Sequence, residues 1–233
     1  MHREVERQRA PVTMPVIEPD DAHRYHTLSI HQVARSGPIE AFAPVIAMNP
    51  QALTKQDHLR SGGHMPIASA VLSGEVKHVR IIIEALRSHG YLSQKLLDTP
   101  GRDGYCALSL AIKHNGQRQT FELLEAGASP LLPIPQEVEG HSWRRLLRPF
   151  GSGPMAANAA EFAVDQSRPY ILSVLLKWDE RDAARRQSLL YSFDVEQLVK
   201  RAQALGSAIN TPALREALES SASRRRHARQ NQP

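Results

Sequence analysis

The stretch Gly101–Pro133, GRDGYCALSLAIKHNGQRQTFELLEAGASPLLP, decides how the rest of the chain is read. It opens on a turn (Arg102-Asp103-Gly104) and continues with a short helical phrase that stops at His114-Asn115-Gly116. A longer helical phrase follows and ends at Gly127. That is a complete helix–turn–helix unit, so the first question is whether it recurs. Three segments align without gaps to its CALSLAIKHN: LSIHQVARSG (Leu28–Gly37), MPIASAVLSG (Met65–Gly74) and NAAEFAVDQS (Asn158–Ser167). All four carry a small apolar pair at the sixth and seventh positions: Val33-Ala34, Ala70-Val71, Ala111-Ile112 and Ala163-Val164. Three residues later each reaches Gly37, Gly74, Asn115 or Ser167. Gly and Asn tolerate the left-handed backbone that ends a short helix, and Ser167 fits that role least well.

The second phrase keeps the same register. Five, eight and nine residues past each stop stand Phe42, Val45 and Ile46; Val79, Ile82 and Ile83; Thr120, Leu123 and Leu124; and Leu172, Leu175 and Leu176. That spacing puts each trio on one helical face, and eleven of the twelve are apolar. An irregular bundle explains each helix but not the shared register. Helices are expected to start near Pro66, Ala107 and Ala159, each with an antiparallel partner. Ile82 and Leu123 are expected between layers.

These residues resemble the ankyrin repeat. Its helix-opening phrase, Thr-Pro-Leu-His-x-Ala-Ala-x-x-Gly, is approximated by all four copies. Met65-Pro66-Ile67 keeps the proline, Leu28-Ser29-Ile30-His31 the histidine, and Asp103-Gly104 the preceding turn, whose glycine also stands at Gly63. LLEAGASP is close to the family's second-helix ending. The resemblance runs from about residue 25 to 178 and is weakest in the fourth copy. Stop-to-stop distances of 37, 41 and 52 residues exceed the usual period of about 33. The extra residues follow the second helices, and the largest insertion is 131–157.

The expected fold class is all-α: an ankyrin-like helical solenoid with a C-terminal helical cap. The domain reading is a disordered N-terminal segment (1–22), degenerate repeats (23–178) including the 131–157 insertion, a helical cap (179–219) and a disordered basic tail (220–233). In the cap, Leu189, Leu190, Phe193, Leu198 and Leu205 supply an apolar face, and Thr211-Pro212 starts a helix. An array needs such an end, because its last repeat otherwise exposes an apolar side.

Composition narrows the function classes. The chain of 233 residues is 41% hydrophobic but only 5% aromatic, so its core rests on Leu, Ile, Val and Ala. The net charge of +5 is concentrated in Arg224, Arg225, Arg226 and Arg229, which argues against a basic nucleic-acid-binding body and leaves weak contact by the tail. Cys106 is the only cysteine, which excludes an intramolecular disulfide and a cysteine-based zinc site and suits a reducing compartment. The N-terminus shows no secretory h-region, and no run is long enough to span a membrane. His23 and His26 have no glutamate between them, so the zinc-protease phrase is absent, and His31 stands where the resemblance implies a histidine that hydrogen-bonds its neighbours. Cys106 has no His–Asn partnership and reads as a small residue in the Thr slot. No phosphate loop, nucleophile elbow or paired-carboxylate constellation is found, and no cofactor is expected.

What the resemblance implies is a non-enzymatic protein–protein interaction module that binds on its concave and finger face. On that reading the finger tips are Arg60, Ser61 and His64, then Arg102, Asp103 and Tyr105. The first helices contribute Gln32, Arg35, Ser69, Leu72, Leu110 and Lys113, with Arg80 and Gln119 on the back. His141–Phe150 adds Trp143, Arg144 and Arg145, of the types favoured in interface hot spots. The basic tilt points to an acidic protein surface, as for a bacterial effector or an adaptor, in the cytoplasm or delivered to a host cell by a signal-peptide-independent route. The alternative is an enzyme whose site forms between the 131–157 insertion and the C-terminal helices.

Overall fold

The computed structural model describes residues 25, 27–57, 62–135, 155–185, 191–205 and 211–230. The shared register becomes four short first helices: α1 (Ile30–Ser36), α3 (Pro66–Leu72), α6 (Ala107–Lys113) and α8 (Ala159–Asp165), each of seven residues. Their second-helix partners are α2 (Phe42–Met48), α4 (Val76–Ser88), α7 (Gln117–Glu125) and α9 (Pro169–Arg185). A one-turn helix, α5 (Gln94–Leu97), lies in the connection after α4. Start signals differ between copies. Ser29 and Gln32 form a reciprocal capping box, Pro66 stands in the first turn of α3, and Asn158 accepts the Glu161 N–H.

The stops hold, with one difference. Gly74, Asn115 and Ser167 are all left-handed, at φ 80°, 59° and 51°. Gly37 is extended instead (φ −78°, ψ 161°), because Pro38 disfavours the helical region for the residue before it. Its glycine is required by contact: a Cβ there would stand 2.6 Å from the Val33 Cα.

Helices stack in two rows. In the first, α1 packs on α3, α3 on α6 and α6 on α8; in the second, α4 packs on α7 and α7 on α9. All eight residues of the apolar pairs are buried, as are all twelve of the second-helix trios. The alanines of the pair let first helices approach closely, while Ile82 and Leu123, both fully buried, fill the space between rows. Each such side chain contributes about 1.5–3 kcal/mol by leaving water.

Polar clips join successive layers. The residue four past the stop reaches back to the end of the preceding first helix. His78 Nδ1 donates to the Ala34 carbonyl at 3.0 Å, and Gln119 Nε2 donates to the Val71 carbonyl at 3.2 Å. Ala34 and Val71 are the same register position. In the fourth copy that position is Ile171, and Arg168 Nη2 takes over, donating to the Lys113 carbonyl at 3.1 Å. Arg80–Glu122 (2.6 Å) and Arg181–Glu125 tie the second row together. Arg80 and Gln119, expected on a free back surface, are therefore layer-to-layer links.

The only strands among the described residues are β1 (Ile134–Pro135) and β2 (Met155–Ala156), paired antiparallel with Ile134 opposite Ala156. They close the base of the large insertion on buried Ile134 and Ala156.

The C-terminal reading needs correction. Two further helices are described after α9, α10 (Val195–Ala204) and α11 (Pro212–Gln230), so the segment expected to be a free tail from residue 220 is helical to Gln230. Leu214, Leu218, Ser221 and Arg225 form one buried face of α11 at helical spacing. The apolar pattern ends at Leu218, which hides the last two contacts from a reading based on hydrophobicity. Arg225 donates to Asp179 Oδ2 at 2.9 Å and to the Phe193 carbonyl at 2.7 Å, and its guanidinium lies 4.1 Å over the Tyr191 ring. Asp179 also accepts the N–H groups of Ser192 (2.8 Å) and Phe193 (3.2 Å). Next to it, Glu180 accepts from Ser221 Oγ at 2.6 Å and Arg224 Nε at 2.7 Å. Two of the tail arginines are thus engaged in holding α11 on α9 rather than offered to an anionic ligand. On the other side, Arg201 of α10 grips Asp165 at 2.7 and 2.8 Å and Glu161 at 3.0 Å.

Two consequences are measurable by chemical denaturation. Leu123→Asp should lose about 3–5 kcal/mol, the cost of an uncompensated buried charge, and an unchanged midpoint would show that the layers are misassigned. Asp179→Ala should lose a similar amount by stranding Arg225. Truncation after Glu219 should destabilise the chain as well, whereas a free tail would be dispensable.

Candidate functional site

The turns that precede α3 and α6 meet at a ridge. The Arg102 N–H donates to the Gly62 carbonyl at 2.5 Å, and the Asp57 N–H to the His64 carbonyl at 2.9 Å. Within the second turn the Tyr105 N–H donates to Asp103 Oδ1 at 3.1 Å, and the Gly101 N–H to the Tyr105 carbonyl at 2.9 Å. His64 sits in a slot whose walls are backbone. A Cβ on Gly62 would lie 3.0 Å from its Nε2, and one on Gly101 only 2.4 Å from its Nδ1. Nε2 stands 3.6 Å from Asp103 Oδ2, while Nδ1 is buried and finds no hydrogen-bond partner among the described residues. His31 of α1 is buried too, with its Nδ1 in the same condition.

The electrostatics follow from burial. Desolvation lowers the pKa of His64; Asp103 and Asp57 oppose it, and Arg35 adds to it. Desolvation also lowers the pKa of His31, opposed by Asp57 and reinforced by His64. The imidazole–carboxylate pair has the composition of a general-base dyad. No hydroxyl or thiol among the described residues hydrogen-bonds to His64. Cys106 is buried at the start of α6 without a side-chain capping bond, and Ser109 Oγ lies 3.5 Å from its sulfur.

The expected contact residues separate into three groups. Gln32, Arg35 and Arg102 are exposed, and Asp103, Leu72 and Lys113 are partly so. Arg60, Ser61, Trp143, Arg144 and Arg145 lie outside the described residues. His64, Tyr105, Ser69 and Leu110 are interior, which corrects their reading as contact residues. Tyr105 is 1% exposed because it folds back from the turn: its ring meets Phe162 of α8 at 6.1 Å and lies under the Lys113 ammonium at 4.6 Å. Ser69 and Leu110 occupy the position equivalent to Gln32, but only the first copy leaves that position open. Asp57 joins the ridge through its N–H, a contact with no mark in the sequence, whereas the enclosure of His64 has one. The signal for it was Gly62-Gly63 directly before His64, a pair that allows a ring to be enclosed by backbone. Among the described residues no group of three or more His, Cys, Asp or Glu is arranged to hold a metal ion, and no helix is long and apolar enough to cross a membrane.

The slot sets a narrow steric limit. Gly101→Ala should cost about 1–3 kcal/mol, since the new methyl must displace either the ring or the turn. The measurement is denaturant unfolding alongside Gly90→Ala. Gly90 has open space around its Cβ direction, so only its positive φ of 70° counts there. Equal costs would mean that the slot is not tight.

No family profile matches the chain, and no curated protein sequence matches it.

Proposed function

We propose that the chain is an ankyrin-like solenoid with a C-terminal helical cap and works as a non-enzymatic protein-interaction module. The shared register of four helix pairs, with its buried alanine positions and carbonyl clips, supports the scaffold half of this reading. One observation carries the binding half. Arg35 and Arg102 come from different layers, are both exposed, and both border the His64 turn. Two guanidinium groups on a rigid base suit bidentate recognition of carboxylates, so the partner is a protein with an acidic surface. Gln32 and partly exposed Leu72 extend the same face with a hydrogen-bonding group and an apolar contact. The contact surface is narrower than a whole concave groove, because Ser69 and Leu110 do not belong to it. The buried thiol of Cys106 suits work in a reducing compartment, either the cytoplasm or a host cell reached by a signal-peptide-independent route.

The test is a side-by-side affinity capture with three forms of the full chain: wild type, Arg35→Ala with Arg102→Ala, and a control on α4, Glu84→Ala with Arg87→Ala. The control pair is exposed and mutually paired on the second row. A specific partner should be retained by the control and weakened by the ridge variant by about 2 kcal/mol, roughly thirty-fold in Kd. Its binding should also fall with added salt. A partner lost by the α4 variant and kept by the ridge variant would overturn this assignment.

A further inference from the structure

We propose that the ridge is a proton-gated joint: charging His64, with His31 beside it, breaks the contact between the Gly62–His64 turn and the Gly101–Tyr105 turn and loosens the face that carries Arg35 and Arg102. This goes beyond the interaction reading and is tested without a partner.

The geometry favours a neutral ring. The Asp103 carboxylate stands on the Nε2 side at 3.6 Å, so it favours the neutral tautomer with its hydrogen on Nε2, which leaves a lone pair at Nδ1, against Gly101. Protonation turns that atom into a buried N–H with no acceptor among the described residues. A stranded donor on a cation costs far more than a stranded lone pair. On two sides of the ring stands glycine backbone, at Gly62 and Gly101, with no side chain there to swing aside. The slot opens by separating the turns, which costs the Arg102-to-Gly62 hydrogen bond. His31 faces the same difficulty, with a buried Nδ1 and no partner for it.

The charges around the rings act in both directions. From the segment before the turn, Asp57 favours protonation of both rings, and Asp103 of the second turn favours it at His64. From α1, Arg35 opposes it at His64, and the two histidines oppose each other. Arg102 packs its aliphatic stem on Gly63 and brings a further cation to the same turn. Burial is the largest influence on each ring, and both pKa values fall below the ordinary 6.5. The closed ridge therefore binds fewer protons than the open one. Its stabilisation is fully present above pH 6.5 and is lost as pH falls through the lowered values.

The experiment is an NMR titration of the full chain, labelled with ¹⁵N-histidine, from pH 8 to pH 5. It is combined with amide-exchange protection at Arg102 and Leu123, each corrected for the intrinsic pH dependence of exchange. Both rings should remain neutral at the pH where a free histidine is half charged. As they charge, protection at Arg102 should fall at least ten-fold while protection at Leu123 holds. His64→Gln should leave Arg102 protection flat across the range. Because glutamine fits the slot differently, Asp103→Asn is read in parallel: it keeps the ring and removes its carboxylate, so the loosening should move to lower pH. Rings that titrate at or above the ordinary value, Arg102 protection that does not change while they titrate, an unchanged transition in His64→Gln, or a shift to higher pH in Asp103→Asn would each overturn the joint.

Discussion

Close approach between successive first helices is the constraint on which the rest of the structure depends. It is set by Ala34, Ala70, Ala111 and Ala163, all fully buried at or beside one register position. Helices this short present little surface, and seven residues form barely two turns, too few to be stable alone. Their stability comes from contact along the row, so any side chain much larger than alanine at these positions separates two layers and weakens both. The same closeness leaves the last carbonyls of each first helix inside the stack, away from water. His78, Gln119 and Arg168 answer that need. The apolar register and the polar clips are two results of one geometric fact.

The legible part of the sequence was the part governed by this spacing. Three of the first helices start at Pro66, Ala107 and Ala159, where the register puts them, and all twelve second-helix positions are buried. What escaped was governed by polar side chains. Gln119 looks like a surface residue in a helical pattern, and only the carbonyl opposite it explains its burial. Tyr105 stands in a turn, where a reading by position leaves it exposed, yet an aromatic ring next to a first helix has more to gain by folding onto Phe162. The run Arg224-Arg225-Arg226 reads as a solvated charge cluster. The acidic pair that binds it, Asp179-Glu180, is far away in sequence and carries no local mark.

The packing of α11 on α9 shows why that pairing is worth its desolvation. A stack of layers that touch only their neighbours is weakest at its last layer. Here α9 is seventeen residues long and reaches past the repeat pattern, and α11 covers it. An apolar seam alone would hold α11 in several nearby registers. The guanidinium of Arg225 fits between the Asp179 carboxylate, the Phe193 carbonyl and the Tyr191 ring in one. Its charge is matched by Asp179 and two of its donors are bonded, while its buried Nε faces Glu180 at 3.8 Å without a hydrogen bond. The pair fixes where the helix sits more than it deepens the overall stability.

The ridge handles its buried polar groups differently. At the cap a buried charge is matched by an opposite one, and the structure closes on it. At the ridge the buried groups are imidazoles, which satisfy their surroundings only while neutral, and the neighbouring charges are mixed in sign. Rigidity there rests on glycine backbone around a ring rather than on a saturated network. On the proposed interaction reading, a rigid base reduces the side-chain and backbone entropy that Arg35 and Arg102 would lose on engaging a partner. On that proposal, a ridge held by uncharged rings keeps the advantage down to the lowered pH at which those rings charge. The residues that hold the ridge are therefore the same ones through which we propose that it senses protons.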